Sequence, residues 1–266
     1  MSIANYAEYL VRANNLNYQT WLSKSSITTV AGRLHSLWTA TPLSGATPSV
    51  PVVLSNVTAG ALPFINSLDA QRIAQVEVSS SSRNMVIICD RLSHQGGLSG
   101  TVIGEQFTNL PTHPLTRYTD GIGVMAALEI FTAIGTTSTT ISLNYTNHLG
   151  VSGRVTSLIV IGGVGFNEAT RFIMSSLAGD DRGIRSVENV ALTASTGTVG
   201  NFGVTLFKPL FAFPVLVSTS QMLFDSILGV CGNMPQVLNN ACLFALVVST
   251  TTVSGDITAA INIVGE

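Results

Sequence analysis

Charge is what this chain lacks most. Asp, Glu, Lys and Arg make up only 10% of its 266 residues, against about 25% in ordinary soluble domains. Its 12 Lys and Arg are scattered singly and the formal net charge is -2. There is thus no basic stripe of the kind nucleic-acid binders carry, and no polybasic segment for a membrane surface. Neither nucleic acid nor membrane is expected as a partner. Long apolar runs are missing too, although 46% of the residues are hydrophobic. The greasiest stretch, residues 204–217, is broken by Lys208, Pro209 and Pro214 and falls short of the ~18 apolar residues of a spanning helix. The first residues lack the basic start and apolar core of a secretion signal, so the chain is expected to be made and used without export. Cysteine is scarce: Cys89, Cys231 and Cys242 form no CxxC pair, which argues against a disulfide scaffold. Cys89 and Cys242 adjoin apolar runs and read as small buried hydrophobes, with a Cys231–Cys242 bridge as the alternative.

Chemistry-bearing motifs are equally sparse. His35, His94, His113 and His148 stand far apart, with no zinc-type spacing. No G-x-S-x-G elbow is present. Asp90 and His94 share the segment Asp90-Arg-Leu-Ser-His-Gln-Gly-Gly. It reads either as an Asp/His catalytic pair or, more plainly, as a polar cluster shaping a turn-rich loop. Gly179-Asp-Asp-Arg-Gly places Asp180 beside Asp181. That pair suits a cation, or simply a Gly/Asp turn with Arg182 or Arg185 as partner. Gly121-Ile-Gly-Val-Met-Ala matches a dinucleotide fingerprint by letters, but the residues after it read as strand rather than helix. No two acids are spaced for general acid/base work. The expectation is a protein that is not an enzyme and uses neither cofactor nor metal.

What the chain has instead is Ser, Thr, Asn and Gly. A surface built from them packs well against neighbours, where lone charges would be costly to bury. Its organisation reads as all-β. Short alternating or apolar runs recur at residues 73–78, 85–89, 121–133, 141–146, 152–161, 171–177, 190–194, 203–207, 243–249 and 256–264, separated by Gly, Ser, Asn and Asp turns. Residues 213–237 read as a loop or short helical excursion. The expected fold is a jelly roll or β-sandwich over residues 67–266, built as two four-stranded sheets. Two small domains hinged at residues 105–117 are the alternative. Ahead of the body, residues 1–66 are expected to form a short helix (residues 3–21) and then an extended arm. Residues 25–38 read as extended, and residues 39–66 as a Pro- and Gly-rich loop. Trp21 and Trp38 are candidate interface anchors, since Trp is enriched at hot spots; the alternative is that both pack the core.

Several strings resemble segments of structural proteins of tailed bacteriophages. They are Asp90-Arg-Leu-Ser-His-Gln-Gly-Gly-Leu-Ser-Gly-Thr, Arg117-Tyr-Thr-Asp-Gly-Ile-Gly-Val, Asn144-Tyr-Thr-Asn-His-Leu-Gly-Val-Ser-Gly-Arg and Gly183-Ile-Arg-Ser-Val-Glu-Asn-Val, with Thr-Gly-Thr-Val-Gly-Asn-Phe-Gly-Val further along from the last. The resemblance runs in order from about residue 25 to the end. It implies a virion component assembled in the host cytoplasm. A capsid decoration or cement protein fits best, often a trimer, whose partners are its own copies and the major capsid protein or other virion proteins. A neck, collar or tail component, including a receptor- or glycan-binding jelly roll, is the alternative.

Overall fold

The computed structural model describes residues 7–8, 11, 18–67, 70–216, 222–225 and 235–265. Its strands begin with β1 (Tyr18–Lys24), β2 (Leu34–Ser36), β3 (Val52–Val53), β4 (Gln71–Ser80), β5 (Asn84–Leu98) and β6 (Gly104–Phe107). The middle of the chain supplies β7 (Met125–Thr132), β8 (Thr139–Asn147), β9 (Arg154–Val155), β10 (Ile159–Ile161), β11 (Phe172–Met174) and β12 (Ile184–Leu192). The last are β13 (Asn201–Val215), β14 (Met222–Asp225), β15 (Gln236–Val237), β16 (Leu243–Ser249) and β17 (Ile257–Gly265). The protein is all-β, and the strand pairings are antiparallel.

Among the described residues three sheets form, not the expected two of four strands. A seven-stranded sheet has the order β11-β7-β13-β5-β16-β2, with β3 added on β5. One five-stranded sheet runs β1-β17-β4-β14 with β15 on β4, and the other runs β10-β8-β12-β6 with β9 on β8. The large sheet rests on its two 15-residue strands, β5 and β13. From sequence the first is expected to end at Cys89, before the turn-rich segment that starts at Asp90, and the second at Phe207, before Lys208, Pro209 and Pro214. The ladder takes up Gly96-Gly97 and Pro209 through register shifts at Phe202/Val204, Leu206/Phe207 and Pro209/Phe211, while Pro214 pairs in register with Met85; a bulge tolerates a missing donor and bends the strand.

Side-chain alternation assigns the cores. On β16, Leu243, Ala245 and Val247 enter one core with Val76, Val78, Ile257 and Ile261 of the sheet that carries β1. Phe244 and Leu246 point the other way. On β7, Ala126, Leu128 and Ile130 join Leu143, Tyr145 and Val190 of the sheet that carries β8, and Ala127 faces the opposite side. One face of the large sheet therefore carries both five-stranded sheets, side by side. The other face holds a third core of Cys89, Phe172, Phe207 and Phe244, closed by Trp38, Leu54 and Ala61.

Residues 18–66, expected within the arm, are woven into this body. β1 pairs along its whole length with β17, and Leu37, Trp38, Leu54, Leu62 and Phe64 are all buried. The expected helix over residues 3–21 gives way to strand from Tyr18 onward. Ahead of it only Ala7, Glu8 and Val11 are described, and these three are helical; the rest of the expected helix lies outside the described residues. The expected hinge at residues 105–117 contains β6, which pairs with β12 inside a sheet. Gly121 and Gly123 occupy a left-handed turn (φ 73° and 69°) that leads into a strand, so the helix a dinucleotide loop requires is not there.

Candidate interaction surfaces

The residues singled out for chemistry are drawn into the interior. Asp90 and Arg91 sit in β5 and are both 0% exposed. Arg117 closes on Asp90 in fork geometry, with Nε–Oδ2 and Nη2–Oδ1 both 2.8 Å, and also donates to the carbonyls of Leu54 and Arg91. The Cys242 amide donates to Asp90 Oδ1. Burial pushes the Asp90 carboxyl up, against the pull of Arg117. Arg91 pairs with Glu129 on β7, and its Nη2 also donates to Thr205 on β13. Its Nε donates to His94 Nδ1 at 2.9 Å. The Arg91 guanidinium lies over the Trp38 ring at 4.4 Å and over Phe244 at 5.0 Å.

Asp90 and His94 are thus not a catalytic pair, because each has its own arginine. Desolvation, reinforced by Arg91, drives the His94 imidazole down to about 2, so it stays neutral and acts as an acceptor. The segment is not a loop but the middle of a strand. Among the described residues, no group of three or more His, Cys, Asp or Glu side chains gathers to hold a metal. Cys89 and Cys242 are buried free thiols; Cys231 lies outside the described residues.

At Gly179-Asp180-Asp181 the carboxylate's partner is Arg154, not Arg182 or Arg185. Asp181 accepts from Arg154 Nε at 2.9 Å, Tyr145 Oη at 2.6 Å and Asn147 Nδ2 at 2.6 Å. These bonds, the Tyr145 hydroxyl first, hold its carboxyl down at about 2. Asp180 is exposed, and Arg185 turns instead to the His148 carbonyl.

The two tryptophans part company. Trp38 is 1% exposed in the third core, with Nε1 bonded to the Ala46 carbonyl at 2.9 Å. Trp21 is 61% exposed on the outer face of its sheet. There Trp21 stands opposite Ala260, Ala260 opposite Glu77, and Glu77 opposite Leu223. The neighbouring row is Ser23, Thr258 and Ser79. The small side chains leave a groove of about 230 Å³ beside the indole. The second five-stranded sheet has a comparable outer face. Thr140, Ser142, Asn144 and Thr146 of β8 alternate with core residues, and Phe107, Val155 and Val160 are exposed around them. Two buried acceptors on this face, Asn144 Oδ1 and Glu188 Oε2, have no hydrogen-bond partner.

Both outer faces are rich in hydroxyl, amide and small side chains, with acidic groups at Glu77 on the first and at Glu105 and Glu188 on the second, so most of their area can be covered at little desolvation cost. The sequence signals this through composition, and the alternation on β8 locates one face. Nothing in the sequence locates Arg117, Glu129 or Arg154, which meet their partners over separations of 27 to 38 residues.

No family model matches the chain, and no curated protein does. Among solved structures, those of infectious bursal disease virus align weakly. The Gx strain structure has 8% identity and a TM-score of 0.19, over 94% of this chain and 78% of that one. The T13 viral particle has 9% identity and 0.18, over 94% and 77%. The VP2 subviral particle has 7% identity and 0.18, over 94% and 80%. At these scores the likeness decides neither fold nor function, and what is established is an antiparallel all-β protein.

Proposed function

We propose that this chain is a non-enzymatic structural component of a virus particle, of the tailed-phage type its sequence resembles. Within that class we assign it to capsid decoration: a cement protein that packs as a trimer on the shell formed by the major capsid protein. The observation that carries this reading is the pair of outer sheet faces built mainly of hydroxyl, amide and apolar side chains, one holding the exposed Trp21 and the other Phe107, Val155 and Val160. Such faces gain about 25 cal/mol per Å² of apolar area covered, less the cost of ordering. Contacts that are weak singly become strong when repeated by symmetry.

The test adds the purified chain to shells that lack it and measures their resistance to heat. The expected result is saturable binding and a higher disruption temperature, both weakened by Trp21→Ala. Because Trp21 is exposed, its replacement should leave the free protein's stability within about 0.5 kcal/mol. Binding to isolated tails or necks with none to shells would overturn the decoration role in favour of the neck, collar or tail reading.

A further inference from the structure

The end of the β8–β12 sheet carries a feature the assembly reading does not use. Arg154, Asp180, Asp181 and Arg182 line a cleft of about 1090 Å³ together with His148 and Leu149, in a chain of which only 10% is charged. That volume lies just above the ~300–1,000 Å³ typical of small-molecule sites. An apolar recess of about 250 Å³ opens beside it, under Val124, Met125 and Leu177, and the two share Asp181 and Arg182.

The walls are rigid before any ligand arrives. Asn147 Oδ1 accepts from the amides of both Leu149 and Val151, and Asn147 Nδ2 donates to Asp181. The Tyr145 hydroxyl donates to Asp181 and accepts from the Ala178 amide. The β8–β9 turn and the loop before β12 are therefore stapled together through one carboxylate. Such preorganisation lowers the cost of binding.

The groups left over define the chemistry. Arg154 commits Nε to Asp181 and Nη2 to the Ala178 carbonyl, leaving Nη1. Among the described residues nothing holds the Arg182 guanidinium or the Asp180 carboxylate, and both are exposed. Leu149 and Val151, 71% and 51% exposed, supply an apolar wall. A planar fork suits a carboxylate, a free carboxylate accepts from hydroxyls, and the wall covers the C–H face of a ring. We infer that this cleft binds an acidic sugar, its carboxylate on Arg182 and Arg154 and its hydroxyls on Asp180. The inference is independent of the particle role: it concerns the free protein, and failure to bind shells leaves it standing.

The test is ligand-observed NMR on the full chain with three probes, glucuronate, glucose and acetate. Glucuronate is expected to bind in the millimolar range, about tenfold more tightly than either of the others. Arg182→Ala should bring glucuronate down to the level of glucose while leaving the thermal midpoint unchanged, since that side chain is exposed. Asp180→Ala should weaken glucuronate and glucose alike. Glucose binding as well as glucuronate would overturn the proposal, as would acetate binding as well as glucuronate. A glucuronate preference that survives Arg182→Ala, or no response from any probe up to about 20 mM, would do so too.

Discussion

Replacing Glu129 by Gln takes one negative charge from a place where no other group can neutralise Arg91. The guanidinium is 0% exposed and Glu129 only 1%, so water cannot substitute for the lost carboxylate. Breaking a buried pair by removing one partner costs about 3–5 kcal/mol. Two features of this site pull toward the lower end. The ring contacts with Trp38 and Phe244 survive, worth up to about 2 kcal/mol for a desolvated cation. The amide of Gln also keeps one acceptor for the Arg91 fork. The expected loss is therefore about 3 kcal/mol. With a urea slope near 3 kcal/mol per M, the midpoint should fall by about 1 M. In a thermal scan the drop should be about 6–12 °C. The decisive comparison is the double variant Arg91→Met/Glu129→Leu, which removes both charges and should recover most of the loss, because an apolar replacement of a buried pair is often neutral. A Glu129→Gln protein within about 1 kcal/mol of the original would refute the reasoning. So would a double variant as unstable as the single one.

The same interior yields three further expected outcomes. His35 is buried, its Nε2 accepting from the Val30 amide and its Nδ1 facing Thr170 Oγ1; burial and then Arg171 lower it to about 4, against a smaller opposing pull from Glu168. The unfolded chain therefore binds more protons between pH 6.5 and 4, and stability should fall on acidification across that window by on the order of 1–3 kcal/mol after solvent screening. His94, lowered to about 2, contributes over the same window, so His35→Asn should reduce the slope without abolishing it, and an unchanged difference between urea unfolding at pH 7 and at pH 4.5 would count against the His35 contribution. A Cβ on Gly45 would lie 2.0 Å from Trp38 Cε2, so Gly45→Ala should cost about 1–3 kcal/mol and, in a Trp21→Phe background, shift Trp38 fluorescence to the red. Burial raises Cys242 to about 12 and pushes the Cys89 thiol well above its ordinary value. In a Cys231→Ser background neither thiol should react with a disulfide reagent at about pH 8 until the protein unfolds, and native-state labelling would contradict their burial.

What the sequence makes legible is local. The alternation Ile141-Ser-Leu-Asn-Tyr-Thr is the body of β8, the run at residues 243–249 coincides with β16, and residues 256–264 match β17 within one residue at each end. Composition identifies a surface poor in charge. The failures occur where tertiary context overrides a local signal. Gly96-Gly97 and Lys208-Pro209 are turn and breaker chemistry, yet β5 and β13 run through them because the long ladder between the two strands continues on either side and bulges take up the misfit. The Asp90-Arg91 dipeptide looks like loop polarity, while its partners Arg117 and Glu129 arrive from elsewhere in the chain. One signal is there to be read: two adjacent charges directly after the apolar run Val86-Ile-Ile-Cys89 point to buried ion pairs rather than to a turn. Trp21 and Trp38 cannot be told apart by type, because Trp21 projects from the outer face of β1 while Trp38 lies in the turn after β2, folded into the third core.

Electron cryo-microscopy of phage particles assembled in cells that make this chain tests the proposed role most directly. The account expects density for this three-sheet body on the icosahedral shell, with the Trp21 face or the β8 face against a neighbouring subunit. Density confined to the neck or tail, or a shell position with both faces open to solvent, would contradict it.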